Sequence, residues 1–178
     1  MKSSEKNQND DPRFYMESEA SGTVLKVKFN GGITETIHLE TLNLKEKTEL
    51  VLNFNGINYI NSAGTRRWMF WMWNIEKELP DLKFSIEKCP TVMLRQIMGV
   101  AHFVPKTTQI KSFYAPFYCE ACDEDISRLF EVKPLLNLDD QSFSKTISSQ
   151  SCPKCQGSLT LGLVPEQFNK FVNSYKPD

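Results

Sequence analysis

Two Cys-x-x-Cys turns, Cys119 to Cys122 and Cys152 to Cys155, carry the plainest chemistry in this chain. Such a turn aims two sulfurs at one point, and two turns together offer four thiolates to a single tetrahedral ion. Four protein ligands leave no open coordination position, so the expected role is a closed, structural zinc site rather than a catalytic one. Two disulfides, or four unrelated thiols, are the alternatives. The remaining cysteine, Cys89, ends an apolar stretch and reads as a buried small hydrophobe. Between Cys122 and Cys152 lie 29 residues, more than a zinc ribbon usually spans. Zinc is therefore expected to stand in for most of a missing core there, with metal binding coupled to folding.

A second place where chemistry could occur is the hydroxyl of Ser62. It follows an apolar run, Leu50 to Phe54, and the segment Asn55 to Asn61, and it precedes a helical pattern from Thr65 to Leu79 that Pro80 stops. A serine so placed reads as a helix N-cap, where free backbone N–H groups and the positive end of the helix dipole converge. A phosphate added there would gain donors and bring about two negative charges. Ala63 and Gly64 keep the approach open, and Arg66 and Arg67 in the first turn could pair with a phosphate or an acidic partner. A plain cap with two solvated arginines is the alternative.

The elements holding these groups follow from periodicity. Val24 to Phe29 reads as a strand closed by a turn at Asn30-Gly31-Gly32, and Leu50 to Phe54 as a fully buried strand. Residues 33–44 mix their periods and fit either a strand or a short helix. On the following helix Trp68, Trp71, Met72, Ile75 and Leu79 share a face for the sheet, while Phe70 and Trp73 form a second stripe that something else must cover. The cysteine segment is the expected cover, with a homodimer as the alternative. Leu82 to Glu87 alternates as a strand, and Pro90 opens a helix with Val92, Leu94, Ile97 and Met98 that closes at Gly99. Ile110 to Phe117 is a last strand, and Pro165 to Val172 a short helix carrying Phe168 and Phe171. Strand and helix alternating after Leu50 predict parallel pairing with helical crossovers.

Composition bounds the function. Hydrophobic residues make up 40% and charged residues 24% of 178, with a net charge of -1, so long-range attraction to nucleic acid or an anionic membrane is not implied. Residues 114–178 hold six Lys or Arg against nine Asp or Glu, which leaves nucleic-acid recognition by the cysteine segment as the secondary reading. The polar N-terminus has no signal-peptide core, the longest apolar run is far too short to span a bilayer, and thiols arranged for metal fit a cytoplasmic location. Only His38 and His102 are near-neutral bases, neither beside a nucleophile motif, and no glycine-rich phosphate loop is present. Glu120, Asp123, Glu124 and Asp125 read as a solvated acidic turn. No enzyme is expected.

The stretch Val51-Leu52-Asn53-Phe54-Asn55-Gly56-Ile57-Asn58-Tyr59-Ile60-Asn61-Ser62-Ala63-Gly64 resembles the STAS domain, the module of sulphate transporters and bacterial anti-sigma-factor antagonists. The family pattern is an apolar strand ending in Asp or Asn, a short loop, then Asp-Ser-Ser-Gly or similar opening a helix. Leu94, Ile97, Met98, Gly99 and Val100 sit where the family has its Leu-x-x-x-Gly-Leu helix end. The resemblance implies an α/β fold: a STAS-like mixed β-sheet with helices as crossovers over residues 14–113, followed by a small zinc-ribbon-like segment over 114–178. A disordered tail over 1–13 precedes them. It also implies a non-catalytic signalling adaptor in which Ser62 is the phospho-acceptor and a kinase or anti-sigma-type regulator is the partner. Asn61 stands where the family has aspartate, Thr65-Arg66-Arg67 where it has small and apolar residues, and the segment from Gly32 to Leu50 is shorter than the family's first-helix region. The Cys-Pro-Lys-Cys-x-Gly run resembles zinc-ribbon appendages.

Overall fold

A computed structural model describes residues 14–39 and 42–175. The tail expected over residues 1–13 lies outside the described residues. Five strands form one mixed sheet in chain order: β1 (Tyr15–Ser21), β2 (Val24–Ile33), β3 (Glu49–Ile60), β4 (Lys83–Glu87) and β5 (Gln109–Ile110). β1 is antiparallel to β2, and the other pairs are parallel. Helices α1 (Ser62–Glu78) and α2 (Thr91–Gly99) are the crossovers between parallel strands, as the alternation predicts. Residues 34–39 and 42–48 contain turns but no helix or strand.

The pairing register shows which residues share a face. Leu25 and Val27 align with Leu50 and Leu52, and these with Phe84 and Ile86; Phe29 and Phe54, their rings 5.5 Å apart, join them beneath the helices, all buried. Trp68 anchors α1 there. Its ring is fully buried against Phe29, Phe54 and Phe103, and its indole N–H donates to the Phe103 carbonyl at 3.0 Å. Truncating such a ring costs about 3–5 kcal/mol. The opposite face is polar: Lys26 pairs with Glu87, and Lys111 with Glu49 at 2.7 Å, around Val51, Asn53 and Ser85. β3 is thus buried, but only one of its faces meets an apolar layer.

Several boundaries differ from the sequence reading. The Asn30-Gly31-Gly32 run is not a turn; β2 continues through it to Ile33 with register shifts, Gly31 taking φ 89°. Strand β3 likewise passes Asn55-Gly56 to Ile60. β1 is an edge strand with mostly exposed side chains, so it carries no buried alternation.

A second, antiparallel sheet orders β7 (Glu124–Glu131), β6 (Ser112–Cys119) and β8 (Thr160–Leu161). It joins the first sheet at Cys89, whose N–H donates to the Ser112 carbonyl at 3.0 Å while its own carbonyl accepts from the Tyr114 N–H at 2.7 Å. Cys89 is fully buried, as expected, and burial pushes its thiol far up. Helices α3 (Asp140–Ser148) and α4 (Pro165–Ser174) pack under this sheet. Phe113 meets Phe168 edge-on at 4.9 Å, and Phe168 meets Phe143 at 5.8 Å. These rings overturn the expectation that metal replaces most of a core: the C-terminal segment has an aromatic core continuous with the rest. The acidic run is also not simply a turn, since Glu124 and Asp125 open β7. Among the described residues no helix is long and apolar enough to cross a membrane.

Candidate metal centre and the loop before α1

Cys119 closes β6 and Cys122 lies in the turn that leads to β7, while Cys152 and Cys155 flank the turn inside the Ser151–Ser158 bridge. The four sulfurs lie within 4.8 Å of one another. Cys119 Sγ is 3.6 Å from Cys155 Sγ, and Cys122 Sγ is 3.8 Å from Cys152 Sγ. A disulfide would need about 2.05 Å. Four sulfurs placed about 2.3 Å from one tetrahedral ion stand about 3.8 Å apart, so these spacings fit a metal and no cross-link.

The turns are built alike. The residue after the second cysteine takes the left-handed conformation in each, Asp123 with φ 52° and Gln156 with φ 61°. A non-glycine residue accepts that conformation only where its surroundings demand it. Backbone N–H groups then face sulfur: Lys154 N lies 3.4 Å from Cys152 Sγ, and Gly157 N 3.4 Å from Cys155 Sγ. N–H groups of Cys155 and Lys154 aimed at Cys152 lower its thiol to about 6. Crowding by Cys155 and Cys119 pushes the Cys122 thiol up. A cation relieves that crowding, because four adjacent sulfurs ionise together only around positive charge. Gly157 has a steric reason: a Cβ there would sit 3.2 Å from Cys155 Sγ. Lys154 spans the two turns through an ion pair with Glu124.

At the loop before α1 the capping residue differs from the expectation. Asn61, not Ser62, is the N-cap: its backbone is extended and its Oδ1 accepts from the Gly64 N–H at 2.7 Å. Ser62 is the first helical residue. It is exposed, and its hydroxyl has no hydrogen-bond partner among the described residues. Asn61 Nδ2 also donates to Glu35 Oε2 at 2.7 Å. That hydrogen bond, followed by Glu35's own backbone and Arg67, holds the Glu35 carboxyl below its ordinary range. Glu35 is 26 positions from Asn61, and no sequence signal links them. Gly64 is buried rather than an open approach; a Cβ there would lie 2.0 Å from the Ile33 carbonyl oxygen. Arg66 and Arg67 are exposed.

Along α1, Ser62, Arg66, Phe70 and Trp73 follow one another at i, i+4, i+8 and i+11 and form one exposed stripe. Phe70 is 64% and Trp73 53% exposed, so the cysteine segment does not cover them as expected. They border a groove of about 680 Å³ whose other wall is the loop Val104-Pro105-Lys106. Val104, Pro105 and Lys106 were not singled out from sequence, because nothing local marks a loop as the wall of a groove.

Fold and site together define a mixed α/β protein with four cysteines placed for a metal ion. Comparison with protein-family models, curated proteins and solved structures finds no match to this chain.

Proposed function

We propose that this chain is a non-catalytic signalling adaptor of the STAS type, acting in the cytoplasm, with zinc at the four cysteines as a structural clamp. It docks a protein partner, a kinase or an anti-sigma-type regulator, through the loop and helix that begin at Ser62. The observation that carries this reading is the stripe itself: the exposed hydroxyl continues, turn by turn, into Arg66 and two uncovered aromatic rings. Exposed aromatic patches bordered by polar residues mark protein-contact sites more often than idle surface. The in-order mixed sheet with its two crossover helices is compatible with the resemblance, and the lack of a helix among the described residues between β2 and β3 agrees with the short segment there.

Phosphate on Ser62 is the proposed control. It would stand one turn before Arg66, turning a basic start of the stripe acidic. Against an enzyme, His38 and His102 border different grooves and neither has a nucleophile within hydrogen-bond reach among the described residues. The acidic balance of residues 114–178 weighs against nucleic-acid binding by the cysteine segment.

Affinity enrichment with wild-type, Ser62→Ala and Ser62→Asp baits, read by mass spectrometry, tests the reading. A partner held by wild type and Ser62→Ala but released by Ser62→Asp is expected. Equal retention by all three removes the switch and leaves constitutive docking; no partner on any bait removes the adaptor.

A further inference from the structure

We infer that the groove beside α1 receives an acidic, amphipathic helical segment of the partner protein; this rests on the docking reading above and names the chemistry of what docks. The groove floor and walls are apolar and adaptable: Met69, Phe70, Met72, Trp73, Val104 and Pro105. Methionine-lined grooves accept the anchors of an amphipathic helix at i, i+3 or i+4, and i+7. The charge at the margin sets the partner's sign. Arg66 and Lys106 line the groove against one acid, Glu76. Neither cation has an ion pair among the described residues. In a chain of net charge -1, unpaired cations gathered at an uncovered apolar groove call for carboxylates from outside.

Other occupants fit less well. A second copy docking face to face would bring the same two cations and one acid, a like net charge rather than a surplus of carboxylates. Single-stranded nucleic acid needs separate stacking platforms. Here Phe70 and Trp73 lean on each other with centroids 6.1 Å apart, and Lys77 lies over the Trp73 ring at 5.1 Å. A phosphate on Ser62 would repel an acidic segment and draw Arg66 away from it, so the control proposed above acts on this contact directly.

Display of a random library of peptides about 16 residues long, long enough for three anchors, on the immobilised full chain tests this. Selected peptides are expected to carry Asp or Glu beside apolar residues at helical spacing. They should lose at least about tenfold in affinity on Phe70→Ser/Trp73→Ser and on Arg66→Glu/Lys106→Glu. All these substitutions are of surface-lining side chains, and circular dichroism verifies that each variant is folded. Basic peptides, or peptides indifferent to Arg66→Glu/Lys106→Glu, overturn the acidic assignment; if they still need Phe70 and Trp73, the docking face itself stands. Peptides indifferent to Phe70→Ser/Trp73→Ser overturn both. Salt-sensitive micromolar binding of an oligo-dT probe, or a dimer in sedimentation that Phe70→Ser/Trp73→Ser dissolves, assigns the groove to another occupant and overturns the inference.

Discussion

Asn61 holds Glu35: its Nδ2 donates to Glu35 Oε2 at 2.7 Å while its Oδ1 caps α1 through the Gly64 N–H. Both ends of the amide are in use, which gives a physical reason for asparagine where the resembling family has aspartate. A carboxylate at this position could cap the helix but could not donate to Glu35, and it would face a like charge. Asn61→Asp is therefore expected to be less stable than wild type in urea, and Glu35→Gln in the same chain should restore most of the loss. Asn61→Ala, which removes the cap, should cost about 1–2 kcal/mol. An Asn61→Asp variant as stable as wild type would show that the Glu35 contact does not matter.

Gly64 packs against the end of β2, where an added methyl would overlap the Ile33 carbonyl and the Thr34 nitrogen. Both obstacles are backbone and cannot swing aside. Gly64→Ala should destabilise by roughly 1–3 kcal/mol or more. Gly99, at the end of α2, has open space around its Cα. Gly99→Ala should be neutral or gain up to about 1 kcal/mol. Denaturation midpoints of the two variants check the contrast.

Metal removal should act locally. The rings of Phe113, Phe143 and Phe168 are fully buried and pack on one another without a metal between them. Chelator, or Cys119→Ser, is expected to raise hydrogen exchange at residues 119–124 and 151–158, with β2, β3 and β4 still protected. Elemental analysis of the purified chain should return about one zinc per chain. Global loss of protection on chelation would restore the coupling of metal to folding expected from sequence.

On the sheet's polar face, burial opposes ionisation of Glu49, but hydrogen bonds from Lys111 and Ser85 outweigh it and lower its pKa. A carboxyl lowered on folding adds stability that is complete above its unfolded value and is lost as pH falls through the folded one. The loss should begin below about pH 4.5 and deepen with further acid. Glu49→Gln is expected to flatten this slope in urea midpoints measured against pH. Glu35 and Asp139, lowered by their own hydrogen bonds, shift in the same direction and should leave part of the slope in place.

What sequence could show depended on whether the signal was local. The cysteine turns were legible because their spacing alone prescribes the geometry, and Trp68, Met72 and Ile75 because helical period selects a buried face. Ser62 and Asn61 are both favoured caps, so only the backbone, extended at Asn61 and helical from Ser62, decides between them. Tyr15 to Ser21 showed no strand alternation because an edge strand buries little. Helix α3 offered only Phe143 and Ile147 as buried apolar residues, although Asp139 caps it through the Ser142 N–H at 2.8 Å. Gly31 and Gly32 resembled a turn, yet they lie on the end of β2 that packs closely against Gly64, a contact between distant segments that no local pattern encodes.

Photo-crosslinking in the cells that make this chain tests the docking face most directly. Benzoylphenylalanine would replace Phe70 and, as a control, Tyr15, whose ring is 51% exposed on the outer strand of the sheet. A docking face on α1 predicts a discrete protein adduct from position 70 that Ser62→Asp weakens, and none from position 15. Equal adducts from both positions, or adducts from position 15 alone, would contradict it.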